Sequence, residues 1–311
     1  MKKKIFIDGR AGTTGLRIYE RLEKREDIEL IVLSDDERKD AAARKRALNE
    51  ADVAFLCLPD DAARESVSLI ENDKTVVIDT STAHRTLDGW TYGFPELSET
   101  IEAALPDAKR IAVPGCHASG FIALVYPLIE KGIISSDALL TCHSITGYSG
   151  GGKKMIAEYE AEDRSPLFDA PRQYALGQTH KHLKEMKAIT GLSSEPIFCP
   201  IVSDFYSGMT VTVPLFKSQL NDGYTVEDIK KTYFARYTGE IVSFVENADE
   251  TGLISGAKCS GLDSMKIAVA GNEERILLIA MYDNLGKGAS GAAVECLNYV
   301  LGVDKKTGLE L

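Results

Sequence analysis

The start of the sequence constrains the fold more than any other part of it. An apolar segment at residues 3–7 has the pattern of a short β-strand and leads directly into the glycine-rich segment GRAGTTG at residues 9–15. Residues 14–24 then show helical spacing, which places Leu16, Tyr19 and Leu22 on an inward face. A strand, a glycine-rich turn and a helix in immediate succession predict a β-α unit at the edge of a ligand site.

Glycines at the spacing GxxGxxG let the backbone turn tightly and come close to a pyrophosphate. The free amides and the dipole of the following helix attract the negative charge of that group. The segment therefore predicts a dinucleotide-binding loop. Its candidate cofactor-binding residues are Gly9, Ala11, Gly12, Thr13, Thr14 and Gly15.

Two choices of dinucleotide are open at the end of the second predicted strand. Asp35 lies 20 residues beyond Gly15 and suits a ribose 2′-hydroxyl, as in NAD. Ser34, Arg38 and Lys39 lie beside it, and a hydroxyl with two cations suits a 2′-phosphate. We expect NADP to be preferred, with Ser34 and Arg38 as binding residues.

Strand-like and helix-like segments alternate through the first part of the chain, which predicts a parallel sheet covered by helices. From about residue 138 the pattern changes to that of an α+β domain with a mostly antiparallel sheet, including a hairpin around Gly271-Asn272. The fold class expected is α/β, a Rossmann-like doubly wound parallel sheet domain plus an α+β catalytic domain. We expect the first domain at residues 1–115, completed by the C-terminal helix at 286–311, and the second at 116–285. The predicted strands are at 3–7, 29–33, 53–58, 75–79, 111–113, 138–145, 196–201, 210–215, 241–245, 266–270 and 275–282.

Charge and cysteine usage restrict the partners. The chain has 47 acidic and 36 basic side chains and a formal charge of -11, which disfavours nucleic acid and anionic membrane surfaces as partners. No segment has the length of a signal peptide core or a membrane span. The six cysteines form no CxxC pair, which indicates reduced thiols in the cytoplasm and no metal site.

One cysteine has the position of a nucleophile. In Pro114-Gly115-Cys116-His117, Cys116 follows a buried strand and a tight turn and opens a predicted helix. A helix N-terminus lowers the pKa of a thiol because it favours the thiolate, which is the reactive species. The other five cysteines fall within apolar runs or lack this placement, so Cys116 is the candidate for covalent catalysis.

A nucleophilic thiol needs a group that moves its proton. His117 is adjacent to Cys116, but a neighbour in the first helical turn usually points elsewhere. His180 and His182 are better candidates, and in a helix that begins near Thr179, Glu185 would lie one turn from His182 and hold its ring. The alternative interpretations of this segment are a solvent-exposed basic helix start and a metal site, of which the metal site is the weaker because no carboxylate or thiolate cluster accompanies the two histidines.

Together these residues resemble the family of N-acetyl-gamma-glutamyl-phosphate reductases of arginine biosynthesis, in particular its short-chain type in the semialdehyde dehydrogenase superfamily. The resemblance covers essentially the whole chain. The glycine loop is common to many dehydrogenases, whereas the later segments in this order are specific. The segments are GRAGTTG at 9–15, DTSTAHR at 79–85, YGFPEL at 92–97, VPGCHAS at 113–119, GYSGGGKK at 147–154, GQTHKH at 177–182 and DNLGKGASGAAVE at 283–295.

The resemblance implies NADPH-dependent reduction of N-acetyl-glutamyl 5-phosphate to the 5-semialdehyde through a thioester on Cys116. It implies His182 as general acid or base with Glu185 as its orienter, and His180 as a substrate contact, although the two histidines are interchangeable in this assignment. It also implies a homodimer or homotetramer. Further substrate-binding residues implied by the motifs are Arg85, Ser119, Ser149 and Lys153, and further cofactor-binding residues are Ser81, Gly150, Asn284 and Gly286.

One segment departs from the family pattern. Relatives often carry an arginine where this chain has residues 205–209, and none occurs here. The anchor of the substrate carboxylate is then sought among Arg110, Arg172 and Lys181. Two other functions remain open: a related acyl-phosphate reductase acting on aspartyl phosphate or an N-blocked aminoadipyl phosphate, and a non-catalytic NADP-binding regulator.

Overall fold

The computed structural model describes residues 2–311, which form two compact units. The first unit contains residues 2–115 and Ala289–Leu309, and the second contains Cys116–Gly288 and Glu310–Leu311. No helix in the described part of the chain is long and apolar enough to cross a membrane.

The first unit is built on a six-stranded parallel sheet with the order β2-β1-β3-β4-β6-β5. This is the predicted Rossmann-like architecture, so the fold expected for this part is confirmed. Its strands are β1 (Lys3–Asp8), β2 (Ile28–Ile31), β3 (Val53–Leu56), β4 (Val76–Asp79), β5 (Thr91–Tyr92) and β6 (Arg110–Ala112), and its helices are α1 (Thr13–Leu22), α2 (Ala41–Glu50), α3 (Asp60–Ser68), α4 (Glu99–Ala104) and α9 (Gly291–Leu301).

The central strands β3 and β4 are apolar at every position except Asp79 because helices cover both faces of the sheet. All four residues of β3 and of β4 are buried, including Asp79 at the end of β4. The C-terminal helix α9 contributes Ala293 and Leu297 to the same core as β1, β3 and β4. Burial of these continuous apolar strands supplies the main driving force for this unit.

The inward face of α1 differs from the predicted one. Leu22 is buried and Tyr19 packs against the core, but Leu16 is 44% exposed, so that part of the prediction was wrong. Gly15 and Ile18 are buried instead. A Cβ on Gly15 would lie 2.5 Å from the Gly9 carbonyl oxygen, so this close approach turns the helix and points Leu16 to solvent.

The second unit contains a seven-stranded mixed sheet with the order β11-β12-β13-β10-β7-β9-β8. The pairs β7–β9 and β11–β12 are parallel and the other four neighbouring pairs are antiparallel, as the mostly antiparallel prediction required. The strands are β7 (Thr141–Gly147), β8 (Arg172–Gln173), β9 (Ile197–Ser203), β10 (Met209–Phe216), β11 (Val242–Phe244), β12 (Met265–Gly271) and β13 (Arg275–Tyr282), and the helices are α5 (Cys116–Glu130), α6 (Gly152–Glu160), α7 (His182–Thr190) and α8 (Val226–Arg236).

The sheet and α5 pack closely in this unit. Strand β10 alternates buried and half-exposed residues, the pattern of a sheet with one covered face. Helix α5 is buried along most of its length and packs on β10 and β13. A Cβ on Gly120 of α5 would lie 2.7 Å from the Tyr282 hydroxyl oxygen, so the glycine permits this close contact.

Candidate active site

The glycine loop between β1 and α1 has the geometry of a backbone cradle. Gly9 has φ of +86°, and a Cβ there would lie 2.2 Å from the Cys57 carbonyl oxygen. The Gly12 amide donates to the Gly9 carbonyl at 2.9 Å, and Gly12 is the N-cap of α1. Thr13 and Thr14 follow as the first residues of α1, whose first-turn amides have no partners within the helix.

A cleft of about 230 Å³ opens beside this loop and is lined by Gly9 and Ala11. Four cationic side chains contribute to its lining: Arg10, Arg38, Lys39 and Arg44. The sequence identified Arg38 and Lys39 as candidates. It did not identify Arg10, which lies inside the glycine loop, or Arg44, which lies on α2.

Arg44 is held in place by an acid. Its guanidinium forms an ion pair at 3.0 Å with Asp8, the last residue of β1, and donates at 2.6 Å to the Ser66 hydroxyl. The Ser66 hydroxyl donates to the same Asp8 carboxylate at 2.8 Å. Since Asp8 is 4% exposed, it gives Arg44 a fixed position at the wall of the cleft.

The two residues predicted to select the cofactor are exposed and contact nearby acids. The Ser34 hydroxyl and amide donate to the Glu37 carboxylate at 2.8 and 3.0 Å. These two hydrogen bonds lower the pKa of Glu37. Arg38 pairs with Asp35 at 3.3 Å. An anion therefore already lies at the hydroxyl that was predicted to bind a 2′-phosphate.

The end of β4 carries a buried polar cluster. The Ser81 hydroxyl donates to Asp79 at 2.7 Å, and His84 Nδ1 lies 2.6 Å from the same carboxylate. Arg85 is 8% exposed and donates to the carbonyl oxygens of Val113 at 2.8 Å and Thr80 at 2.9 Å. Arg85 thereby joins the segments that follow β4 and β6, and its role toward substrate stays a prediction.

In the second unit, Cys116 is the first residue of α5 and is half-buried. Its carbonyl oxygen accepts a hydrogen bond from the Tyr282 hydroxyl at 2.5 Å, and the Gly120 amide donates to that hydroxyl at 3.0 Å. Tyr282 therefore fixes the first turn of α5. A thiol at a helix N-terminus is favoured as the thiolate.

His117 is buried, and both of its ring nitrogens have partners. It is 3% exposed, with Nδ1 at 2.7 Å from the Ser144 hydroxyl and Nε2 at 2.6 Å from the Tyr174 hydroxyl. Burial, with a smaller contribution from His180, lowers the pKa of His117 to about 3. The ring is therefore neutral at physiological pH, and both of its nitrogens are engaged. The sequence carries no signal for Tyr174, which meets His117 only in the fold.

His180 and His182 lie beside His117. The ring centroids of His180 and His182 are 4.6 Å apart, and they lie 5.9 and 5.7 Å from the His117 ring. His182 begins α7, three residues later than predicted, and Glu185 is one turn further along, with both side chains buried. Burial and the Lys181 charge lower the pKa of the half-buried His180.

Three of the six remaining predicted residues of this unit lie together: Ser149, Gly150 and Asn284. The Asn284 amide donates to the Ser149 hydroxyl at 3.0 Å and accepts from the Gly208 amide at 2.9 Å. A Cβ on Gly150 would lie 3.4 Å from the Asn284 amide nitrogen. Ser119 is buried within α5, Lys153 is exposed in the first turn of α6, and Gly286 begins a short π-helical turn.

Three cations were proposed as carboxylate anchors. Arg110 begins β6 and donates to the Thr75 carbonyl oxygen, so it lies at the amino end of its strand, opposite the end that leads to Cys116. Arg172 places its guanidinium 3.8 Å from the Phe168 ring centroid and 3.0 Å from the Tyr159 hydroxyl. Lys181 is exposed. Residues 2–311 contain no group of three or more potential ligands arranged for a metal ion.

Two family models match the chain. Residues 4–104 match the NAD binding domain of semialdehyde dehydrogenases, and residues 116–284 match the dimerisation domain of semialdehyde dehydrogenases. The chain is 44% identical to N-acetyl-gamma-glutamyl-phosphate reductase 2 of Nostoc sp., over 99% of both chains. It is 46% identical to N-acetyl-gamma-glutamyl-phosphate reductase of Chelativorans sp., over 97% of this chain and 99% of that one.

Solved structures share the fold at low sequence identity. Aspartate semialdehyde dehydrogenase II of Vibrio cholerae superposes with a TM-score of 0.74 at 15% identity, over 97% of this chain and 99% of that chain. Aspartate semialdehyde dehydrogenase of Candida albicans, solved with NADP, gives 0.64 at 14% identity, over 99% and 100% of the two chains.

Proposed function

The chain belongs to the N-acetyl-gamma-glutamyl-phosphate reductase family of the semialdehyde dehydrogenases, and from this premise we propose that it reduces N-acetyl-L-glutamyl 5-phosphate to N-acetyl-L-glutamate 5-semialdehyde, with NADPH as reductant, in arginine biosynthesis. The observation that carries the proposal is the place of Cys116 at the N-terminus of α5, followed by His117 and near a segment bearing two more histidines, in a chain whose full length aligns with these reductases.

The predicted first domain, residues 1–115 completed by the C-terminal segment 286–311, is assigned to cofactor binding. Gly9 and Gly15 leave space that a Cβ would fill, and the N-terminus of α1 would offer its first-turn amides to a phosphate of the cofactor. The four cations of the cleft suit the 2′-phosphate of NADP, because guanidinium and ammonium groups bind phosphate oxygens. Ser34 and Arg38 contribute at that end, and Ser81, Gly150, Asn284 and Gly286 are assigned near the nicotinamide from the family motifs.

The predicted second domain, residues 116–285, is assigned to catalysis and to oligomerisation as a homodimer or homotetramer. The match to a dimerisation domain supports the second assignment. The described cysteines are all free thiols, which fits the reducing cytoplasm.

Cys116 supplies the nucleophile. Its proton passes to the acid-base histidine, and the thiolate attacks the acyl carbon. A C–S bond forms, the C–O bond to phosphate breaks, and the histidine returns the proton to the departing oxygen, so that phosphate leaves as the dianion. NADPH, when bound, would supply the hydride that converts the resulting thioester into a hemithioacetal on Cys116. Collapse of that adduct releases the aldehyde and restores the thiolate. A thioester accepts hydride far more readily than an oxygen ester, which explains why a cysteine is required.

His182 is assigned as the acid-base residue and Glu185 as the group that holds its ring. Both are buried on the first turn of α7, where a histidine and a glutamate three residues apart share one face. His180 is assigned to substrate contact because it is half-buried and therefore accessible. In His180→Asn and His182→Asn variants, loss of kcat marks the acid-base residue and a rise in KM marks the substrate contact. Loss of kcat in His180→Asn alone would reverse the two roles.

Arg85, Ser119, Ser149 and Lys153 are assigned to the substrate and its phosphate on the strength of the family motifs. For the free carboxylate of the substrate we favour Arg172. It precedes Tyr174 by two residues in an extended segment, and alternate residues of such a segment share a face. Tyr174 meets His117, the neighbour of the nucleophile, at 2.6 Å.

The decisive experiment combines substrate choice with removal of the thiol. Phosphate-dependent NADP reduction is measured with the semialdehydes of N-acetyl-glutamate, aspartate and an N-blocked aminoadipate, and the first is expected to react best. Cys116→Ala should lower turnover by more than ~1000-fold while NADPH binding is retained. A clear preference for aspartate semialdehyde, or substantial activity in Cys116→Ala, would overturn the proposal.

A further inference from the structure

The segment between β8 and α7 is a loop under backbone strain. Among the described residues, the non-glycine residues with positive φ are Ala175, Gln178 and Thr251, at 53°, 53° and 58°. Two of these three therefore lie in the loop that carries Tyr174 and His180. Left-handed backbone is unfavourable for residues with a Cβ, so surrounding contacts must hold it in place.

Gln178 provides such contacts. Its side-chain Nε2 donates to the Phe198 carbonyl oxygen at 2.7 Å, and its Oε1 accepts from the Phe198 amide at 2.9 Å. Strand β8 pairs with β9 only at Val202 and Ile201, so it does not reach Phe198. The carboxamide therefore takes the place of a neighbouring strand at Phe198, with one donor and one acceptor as a backbone would offer.

The residue that Gln178 binds is central to the histidine cluster. The buried Phe198 ring lies 5.2 Å from the ring centroids of both His117 and His180. At one end of the loop the Tyr174 hydroxyl meets His117 Nε2, and at the other His180 Nδ1 accepts from the His182 amide at 3.2 Å. The contacts of Gln178 thus lie between the two functional ends of the loop.

We propose that Gln178 is a positioning residue that holds Tyr174 and His180 against His117 by binding both backbone groups of Phe198. This inference rests on the proposed function, in which His180 contacts the substrate. Displacements of about 1 Å in a site of this kind are enough to reduce turnover by up to ~100-fold.

The test exploits the need for both a donor and an acceptor. In Gln178→Glu, the ionised carboxylate still accepts from the Phe198 amide but repels the Phe198 carbonyl oxygen. Once protonated, the introduced carboxyl has a donor and an acceptor, as glutamine does. The opposing carbonyl oxygen raises the pKa of this carboxyl above its ordinary value of about 4.3. Gln178→Met keeps the length of the side chain and can restore neither hydrogen bond at any pH.

We expect Gln178→Glu to have kcat at least ~10-fold below wild type at pH 8, with the ratio to wild type rising at least ~3-fold by pH 5.5. Gln178→Met should show a similar loss and a constant ratio. Gln173→Glu places the same charge on an exposed residue of β8 and should behave as wild type. A constant ratio in Gln178→Glu, or full activity in Gln178→Met, would overturn the proposal.

A second readout does not depend on the reaction. The chain has five histidines, so their NMR titrations are resolvable with labelled histidine. The groups around His180 are His117 on α5, Tyr174 in the loop, and Lys181 and His182. Burial lowers the pKa of His180, and it should rise toward 6.5 in Gln178→Met as the loop leaves Phe198. An unchanged titration refutes positioning by Gln178, whereas absent reductase activity in the wild type refutes only the proposed function.

Discussion

The buried neutral ring of His117 predicts a specific acid sensitivity. Its pKa falls from 6.5 to about 3 because burial disfavours the imidazolium. The unfolded chain therefore binds a proton near pH 6.5 that the folded chain does not bind until about pH 3. Since the folded pKa is the lower one, the contribution of His117 to stability is fully present above pH 6.5 and is lost progressively as pH falls toward 3.

The magnitude follows from the two pKa values. Between pH 7 and pH 5, protonation of the unfolded state alone lowers the free energy of unfolding by about 2 kcal/mol. The lowered pKa of His180 acts in the same direction. Carboxylates with lowered pKa, such as Asp27 and Asp204, titrate mainly below this interval. The interval therefore isolates the histidines.

The assay compares urea unfolding of the wild type and His117→Gln at pH 7, 6 and 5. The amide of glutamine can still meet the Tyr174 hydroxyl, but it does not titrate. We expect the variant to lose about 2 kcal/mol less than the wild type between pH 7 and pH 5. His143→Gln, at an exposed residue of β7, is the matched control and should follow the wild type.

Two probes separate the units. Trp90 is the only tryptophan and lies in the first unit, so its fluorescence follows that unit, whereas circular dichroism follows both. The effect of His117→Gln should appear in the unfolding of the second unit, which circular dichroism detects and Trp90 fluorescence does not. If wild type and His117→Gln lose the same free energy between pH 7 and pH 5, the ring is not held neutral and this reasoning fails.

Three further predictions concern the first unit. Gly9→Ala should raise the Kd for NADPH more than ~10-fold, measured by calorimetry, because the added Cβ would collide with the Cys57 carbonyl group. Gly89 also has positive φ, but no atom lies within 4 Å of an added Cβ there, so Gly89→Ala should leave the Kd near the wild-type value. Replacing Arg38 and Lys39 with alanine should weaken NADPH binding ~10-fold or more and spare NADH, and equal losses for both cofactors would show that these cations do not read the 2′-phosphate. Glu37→Gln should tighten NADPH binding ~3-fold because the competing carboxylate is removed, and unchanged affinity in fluorescence titrations would show that Glu37 moves aside without cost.

Local patterns in the sequence were sufficient to predict the glycine loop, both sheet types and the hairpin of β12 and β13. Each is specified within a few residues, by glycine spacing, apolar runs or turn residues. The buried face of α1 was not predicted correctly. The close approach of Gly15 to the Gly9 carbonyl oxygen determines which face is buried, and Leu16 is as apolar as the residues that are buried. Helix α7 begins at His182, after a loop in which Ala175 and Gln178 have left-handed backbone. This conformation could not be predicted from the sequence because neither residue is a glycine.

Long-range partners were the other limit of the sequence. The contact of His117 with Tyr174 joins residues 57 positions apart, and the pair of Arg44 with Asp8 joins residues 36 apart. Both depend on the packing of whole elements. Hydrogen bonds between side chains on separate elements have no periodic signature, so the sequence identified the histidines as a group but not the arrangement of their rings.

The charge of -11 and the proposed anionic ligands are compatible because electrostatic effects at a protein surface are local. At physiological ionic strength the screening length is about 8 Å, so most of the acidic surface has little influence on the cleft beside the glycine loop. Within that cleft Arg44 is neutralised by the buried Asp8, whereas Arg10 lies over the Tyr19 ring and Lys39 is exposed. Arg38 is paired with Asp35, but both side chains are exposed, so this ion pair is weak. The net attraction for a phosphate therefore depends on Arg10, Arg38, Lys39 and the helix amides. We expect the affinity for the cofactor to fall with salt concentration less steeply than four ionic contacts would predict.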